Sequence, residues 1–396
     1  MTIKGRFNGY MNDREVYIIG AGMTQLYRKA PMPLDELGRQ AIFAAVKDAG
    51  INFKEIGSVT VGNMGGLSGA ICIGQRIACS LGLGGVPMIN VESACSSGAM
   101  AVNKAVEHVA SGKCDVALAV GVEHLSSVRG SGTAFAPDSR DPEGLQGATM
   151  PGIYAMRTRR YMHEFGATLE DMALVAVKNR RHAMNNPYSS FRTPITVEEV
   201  VNARMVADPL TLLMSCPNAD GGASVVVATK EVAQRLGKKL VKVAASHITS
   251  GIFKNSFRDF TEMEITIRGA KESYEEAGLG PDDISMVECH DAFVIGEVLY
   301  LEAMGFCKHG EAIPFLKSGQ SDYGGKVVFS PRGGLLSCGH PTGCSGCAQI
   351  VEATWQLRGE AGDRQVPGCK AALTHVTGGG VYGLDNAACT IHILTN

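Results

Sequence analysis

Aromatic side chains are scarce in this chain, with a single tryptophan, and neither sign of charge dominates: the net charge is −2 over 396 residues. No stripe of lysine and arginine runs along it, which argues against a nucleic-acid binder. No apolar run reaches the ~18 uninterrupted residues that a membrane-spanning helix needs. The opening residues, Met1 to Val16, are polar and carry both charges, so they read neither as a signal peptide nor as a membrane span. The cytoplasm is the expected compartment. A P-loop is absent, and Gly20-Ala21-Gly22 lacks the third glycine and the acidic residue of a dinucleotide fingerprint.

Cysteine, by contrast, is plentiful, yet its twelve residues are too scattered for a disulfide framework. They read as reduced thiols, most of them small buried hydrophobes, a load suited to a reducing or anaerobic cytosol. Cys338, Cys344 and Cys347 surround His340, but they supply only one of the paired Cys-x2-Cys knuckles of a structural zinc site, so no metal is expected.

A chain of this length and 45% hydrophobic content favours two domains. The sequence is doubled. Residues 45–59 read as a helix end, a glycine stop and a strand, and 273–287 echo them, with acid-Ala-Gly and Ile-x-x-Val in both. Apolar strands precede both, at Val16 to Gly20 and Leu240 to Ala244. Further strands are expected at Asp115 to Gly121 and Lys370 to Thr374. Strands alternating with helices imply α/β halves with mostly parallel sheets in a layered arrangement. The halves are 1–237 and 238–396. A Gly-, Pro-, Arg- and Met-rich excursion at about 125–217 interrupts the first, with amphipathic pieces at Tyr154 to Phe165 and Leu169 to Arg181.

Cys95 lies in Val91-Glu-Ser-Ala-Cys-Ser-Ser-Gly-Ala-Met100, where an extended run turns through small residues into a helix. The positive end of that helix favours thiolate over thiol. The alternative, a small residue filling a tight turn, is weakened by three turns in the second half. These are Glu288-Cys-His290-Asp291-Ala292-Phe293, Gly333 to Gly346 with His340, and Thr374-His375-Val376-Thr377-Gly378-Gly379-Gly380. All sit at the ends of predicted strands, where open α/β sheets place their sites. By the duplication, His340 occupies the turn equivalent to that of Cys95 and supplies a nearby imidazole.

In this order, the cysteine elbow, His-Asp-Ala-Phe, Gly-His-Pro-x-Gly-x-Ser-Gly and the C-terminal Gly-Gly-Gly resemble the thiolase superfamily, from about Val16 to Ile393. His290 stands where the best-known degradative thiolases have asparagine, so the chain is similar to the sterol-carrier-protein-type and archaeal thiolases. The resemblance implies a thiolase fold with the excursion as an inserted loop domain. It also implies acyl transfer between a 3-oxoacyl-CoA and coenzyme A through an S-acyl-Cys95 intermediate. His340 would activate the thiol and, with His290, polarise the thioester carbonyl or its enolate. The Cys95 N–H and one from Gly378, Gly379 or Gly380 would form a second oxyanion hole. Coenzyme A enters as co-substrate, with no bound cofactor.

Thiolases of this His-Asp type often handle short, branched or aromatic acyl groups, and the resemblance leaves two substrates open, benzoylsuccinyl-CoA and plain acetoacetyl-CoA. The alternatives are a non-catalytic acyl-CoA carrier subunit and a ketosynthase-like condensing enzyme. They arise because the second cysteine of many thiolases is replaced by Val376, and that of His-Asp-Cys-Phe by Ala292. His375 is then the closest titratable substitute, with Cys289, Cys344 and Tyr382 as lesser ones. The resemblance further implies a homodimeric core and a small helper subunit with a zinc ribbon and an OB-fold, docking on residues 150–205. Arg157, Arg159, Arg160, Arg180, Arg181 and Arg192 are candidates for the coenzyme A phosphates, or equally a solvated helix face.

Overall fold

In the computed structural model, residues 14–64, 71–128, 142–252, 258–380 and 386–396 are described. The first half runs β1 (Val16–Met23), α1 (Leu34–Ala49), β2 (Ser58–Gly62), β3 (Met88–Val91), α2 (Ser97–Ala110) and β4 (Val116–His124). The excursion follows, with α3 (Met150–Phe165), α4 (Leu169–Ala183) and the short strands β5 (Met205–Ala207) and β6 (Leu210–Thr211). It ends where β7 (Asp220–Thr229) re-enters the core. The second half repeats the plan with β8 (Val241–Ser250), α5 (Glu264–Ala277), β9 (Met286–Glu288), α6 (Val294–Ala303) and β10 (Val328–Phe329). It continues through α7 (Gly334–Cys338), α8 (Thr342–Arg358), β11 (Ala371–Gly378) and β12 (Ala388–Thr395).

Ten strands form one continuous sheet in the order β10-β9-β11-β12-β8-β1-β7-β4-β2-β3. Read outward from its centre, each wing has the same plan, so β1, β2, β3, β4 and β7 correspond to β8, β9, β10, β11 and β12. The echo of 45–59 in 273–287 is thus a structural equivalence: the end of α1 leading to β2, and the end of α5 leading to β9. The two wings meet where β1 pairs antiparallel with β8. The sheet is mixed. Parallel pairs lie toward its outer ends, β2 with β3 and β4, and β9 with β10 and β11. Antiparallel pairs fill the middle, because β7 and β12 each return beside the first strand of their half.

The strands read as continuous apolar runs because helices cover both faces: β1, β4, β7 and β11 are buried almost throughout. Two helices, α2 and α8, fill the layer between the halves. Their approach needs glycine. A Cβ on Gly98 would lie 2.5 Å from the Gly343 carbonyl oxygen, and one on Gly346 would lie 2.7 Å from the Ala99 Cβ.

The excursion packs on the opposite half from the one that supplies it. Tyr154, Tyr161 and Met172 share a core with Val298, Tyr300 and Leu335. A buried ion pair fastens it there, Lys178 Nζ to Glu297 Oε1 at 2.7 Å. No helix among the described residues is long and apolar enough to cross a membrane.

Candidate active site

Cys95 occupies a single 3-10 turn, Ala94–Ser96, that runs directly into α2. The bend is sharp enough to force Ala94 to φ +47°, a left-handed conformation that a residue with a Cβ adopts only under constraint. The constraint is a set of local hydrogen bonds. The Ser97 hydroxyl donates to the Ala94 carbonyl at 2.6 Å and accepts from the Ser93 N–H at 2.9 Å. Ser96 Oγ donates across to the Val376 carbonyl on β11 at 3.0 Å, tying the elbow to the second half. Gly378 makes that approach possible, since a Cβ there would lie 2.3 Å from the Ser93 carbonyl oxygen.

His290 follows β9, and the turn that holds it is braced by Asp291. The Asp291 carboxylate accepts from the Leu335 N–H at 2.7 Å and from Asn179 Nδ2 at 2.8 Å. Gly334 leaves the space, as a Cβ there would lie 2.0 Å from Asp291 Oδ2. Burial, and then Glu297 nearby, push the Asp291 carboxyl well above its ordinary value. His340 lies between α7 and α8. Its N–H donates to the Pro217 carbonyl at 2.8 Å, and its Nδ1 meets Ser345 Oγ at 2.8 Å.

These segments converge. Donor atoms of Cys95, His290 and His340 all lie within 4.8 Å of one another, and the two histidine Nε2 atoms are 3.3 Å apart. Burial pushes His290 down to about 4; burial, and then the positive charge His290 would carry, push His340 well below 6.5. Both rings are therefore neutral near pH 7. At Cys95 the sequence-based expectation of a favoured thiolate is corrected. Dense surrounding protein pushes the thiol up to about 12, although the Gly379 N–H and the residue's own N–H reach the sulfur and oppose the shift. Desolvation of the charged form outweighs the helix terminus. The arrangement is a neutral thiol beside a neutral imidazole, with backbone N–H groups directed at the sulfur.

The other expected residues fall at different distances from this cluster. Gly379 contributes its N–H at φ +64°, Gly378 packs under the elbow, and Gly380 is exposed. His375 is outside the cluster: its Nε2 bonds Thr266 Oγ1 at 3.0 Å and its ring lies 4.3 Å from that of Tyr300. Cys289 and Cys344 are fully buried, and Tyr382 lies outside the described residues. Most of the arginines are engaged. Arg159 pairs with Asp208, Arg160 with Glu164 and Arg181 with Asp322. Arg157 donates to the Phe260 carbonyl, Arg192 to that of Met184, and Arg180 stacks on Phe191.

Cys216 is a residue the sequence reading did not single out. Its N–H donates to the Ala292 carbonyl at 2.8 Å, and the next residue's carbonyl receives the His340 N–H. It therefore threads between the two histidine turns. Burial, then Cys95 and Asp291, push its thiol up. Nothing local in Met-Ser-Cys-Pro-Asn marks it, because its position depends on where the excursion returns.

Comparison with known proteins identifies the family. The model of the thiolase N-terminal domain matches residues 16–231, and that of a thiolase C-terminal domain-like unit matches 245–391. The chain is 48% identical over 384 residues to the benzoylsuccinyl-CoA thiolase subunit BbsB of Thauera aromatica, covering 96% of this chain and 99% of that one. It is 39% identical over 373 residues to an acetyl-CoA acetyltransferase of Methanothermobacter thermautotrophicus, covering 92% and 97%. Among solved structures, an Ltp2-ChsH2(DUF35) aldolase superposes with a TM-score of 0.82 at 26% identity, covering 96% of this chain and 97% of that one. Human mitochondrial 3-ketoacyl-CoA thiolase shares the fold, with a TM-score of 0.72 at 16% identity over 97% and 99% of the two chains. The chain belongs to the thiolase family and is an acyltransferase acting on coenzyme A thioesters.

Proposed function

We propose that Cys95 is the nucleophile of a thiolytic cleavage, with His340 as its base and, together with His290, as the group that polarises the thioester carbonyl and the enolate it becomes. The observation that carries this reading is the convergence of the three side chains within 4.8 Å of one another. His340 Nε2 takes the thiol proton as sulfur attacks the 3-oxo carbon. The S–C bond forms, the bond between that carbon and C2 breaks, and its electron pair becomes the enolate of the departing CoA thioester. An acid protonates C2. The thiol of coenzyme A then gives up its proton and attacks the acyl-Cys95 carbonyl, and Cys95 leaves and recovers a proton. The N–H groups of Cys95 and Gly379 are the oxyanion donors for the 3-oxo oxygen, which becomes the acyl-Cys95 carbonyl oxygen.

His375 was the sequence-based choice for the acid that protonates C2. The geometry favours Cys216, a neutral thiol held between the two histidine turns, while His375 is bonded to Thr266 behind Tyr300. The substrate is an aromatic 3-oxoacyl-CoA of the benzoylsuccinyl-CoA type, a reading supported by the 48% identity to BbsB. Its cleavage yields benzoyl-CoA and succinyl-CoA.

The enzyme works in the cytoplasm as a homodimer with a small helper subunit. BbsB is itself named a subunit, and the aldolase neighbour is a complex with a DUF35 protein. Met156, Met205 and Leu212 offer the helper an exposed apolar face on the excursion.

The test is labelling with radioactive benzoyl-CoA alongside cleavage of benzoylsuccinyl-CoA. Cys95→Ser should abolish both. Cys216→Ala should keep the label and lose cleavage by roughly 10²-fold, the lower range for loss of a general acid. Normal turnover by Cys95→Ser removes the mechanism. Stoichiometric acyl-CoA binding by the unaltered enzyme, without product in the presence of coenzyme A, would favour a carrier subunit.

A further inference from the structure

Two neutral imidazoles whose Nε2 atoms are 3.3 Å apart require one N–H and one lone pair between them. Which ring carries the proton is decided at the other nitrogens. Ser345 Oγ donates its proton to the Pro341 carbonyl at 3.0 Å, so toward His340 Nδ1, 2.8 Å away, it acts as acceptor. His340 is therefore protonated on Nδ1 and presents a bare Nε2 to the pocket. His290 must then carry its proton on Nε2, which leaves its Nδ1 as a buried lone pair in need of a donor.

A chain of hydroxyls supplies that donor. Thr377 Oγ1 lies 3.0 Å from His290 Nδ1, and Tyr300 Oη lies 3.2 Å from Thr377 Oγ1. Tyr154 Oη is 3.4 Å from Tyr300 Oη. With Thr377 donating to His290, each hydroxyl accepts from the one behind it. The direction is single, from Tyr154 on α3 of the excursion, through Tyr300 on α6 and Thr377 on β11, to the ring. Every member is buried. Phe293, three residues after His290, stacks on Tyr154 with ring centroids 4.7 Å apart and fixes the outer end of the chain.

We propose that Thr377, backed by Tyr300 and Tyr154, is a positioning residue that holds His290 as the Nε2–H tautomer. In the free enzyme the His290 N–H points to the His340 lone pair; a bound substrate oxygen takes over that N–H and releases the lone pair for the Cys95 proton. The inference rests on the proposed role of His290 as donor. It assigns to the excursion helix α3 a part in the chemistry besides any contact with coenzyme A. A histidine turned to its other tautomer would point a lone pair at the developing oxyanion, and tautomer control of this kind is worth several orders of magnitude in other enzymes.

The experiment is 15N NMR of the enzyme labelled at its ten histidines, with the His290 signals assigned by their loss in His290→Asn. In the unaltered enzyme, Nδ1 should resonate as an unprotonated and Nε2 as a protonated nitrogen. In Thr377→Val, which removes the hydroxyl at nearly constant shape, the two shifts should move toward a tautomer average. The value of kcat should fall by roughly 10- to 100-fold, short of the loss of a whole oxyanion donor, with KM changed little. Thr377→Ser should restore both readouts. Tyr300→Phe, one bond farther out, should show a smaller change of the same kind and serves if Thr377→Val folds poorly. A protonated Nδ1 in the unaltered enzyme, or unmoved shifts and kcat in both variants, overturns the inference. Full activity of His290→Ala would instead remove the role of His290 itself, whatever its tautomer.

Discussion

At Cys95 two effects act on one sulfur. The helix terminus and two N–H groups favour the thiolate, while exclusion of water favours the thiol, and exclusion wins, with the thiol pushed up to about 12. The reaction therefore needs a base that is neutral at the working pH. In the proposed mechanism that base is His340, which burial, together with the neighbouring His290, holds well below 6.5. A base with a depressed pKa loses function as pH falls through that lowered value. The acid limb of kcat/KM should accordingly lie well below 6.5, with no gain toward alkaline pH from a free thiolate. In His290→Asn the charge that His290 would gain on protonation is gone, so the limb should move up, while burial still holds it below 6.5. A pH series of initial rates on both proteins checks it, and a limb at or above 6.5 in the unaltered enzyme contradicts the reading.

Among the elements, the junction of β4 with the start of α8 bears the most directly on the site. Glu123, at the end of β4, is fully buried, and burial raises its carboxyl above the ordinary value. It accepts from Asn63 Nδ2, the Met64 N–H and Thr342 Oγ1, each at 3.0 Å, and from the Gly343 N–H at 3.2 Å. A carboxylate at the N-terminus of a 17-residue helix is also favoured by the helix dipole. One side chain from the first half thus fixes the turn that carries His340 in the second. Glu123→Ala strands several buried donors, at about 1–3 kcal/mol each where no water replaces the acceptor. It should lower stability by roughly 3 kcal/mol and depress kcat. Glu123→Gln, which keeps an acceptor oxygen, should cost less. Urea denaturation of the three proteins, followed by circular dichroism, measures the difference. Equal midpoints would show that the junction holds without the carboxylate.

At the scale of the whole molecule, the described residues leave both ends of the sheet open. Among the described residues the edge strand β3 pairs only with β2, leaves Ile89 and Asn90 exposed, and leads within a few residues to Cys95. An unprotected edge of this kind is a template for pairing with another chain. We propose that the homodimer pairs through this edge, which would let each elbow be braced by the partner. Ile89→Lys should therefore shift sedimentation from dimer to monomer and reduce kcat in parallel. A dimer of unchanged stability with the lysine in place would move the interface elsewhere.

Much of this molecule is legible before any tertiary structure. The repeat between 45–59 and 273–287, the helix stops at Gly50 and Gly278 and the turns bearing Cys95, His290 and His340 are local patterns. Their physics, left-handed glycines and apolar strands between helices, acts within a few residues. The sequence alone therefore determined a duplicated α/β chain, its family and the three residues that meet. It did not determine that β7 and β12 run antiparallel beside the first strand of each half, because their partners are about 200 and 140 positions away. Nor did it mark Cys216, Thr377, Tyr300 or Glu123. Cys216 takes its place from the point where the excursion returns, and Thr377 and Tyr300 from packing between β11 and α6. The state of Cys95 was likewise decided only by the fold: the elbow is local, but the protein packed around this half-buried residue, whose desolvation raises the thiol, comes from segments hundreds of positions away.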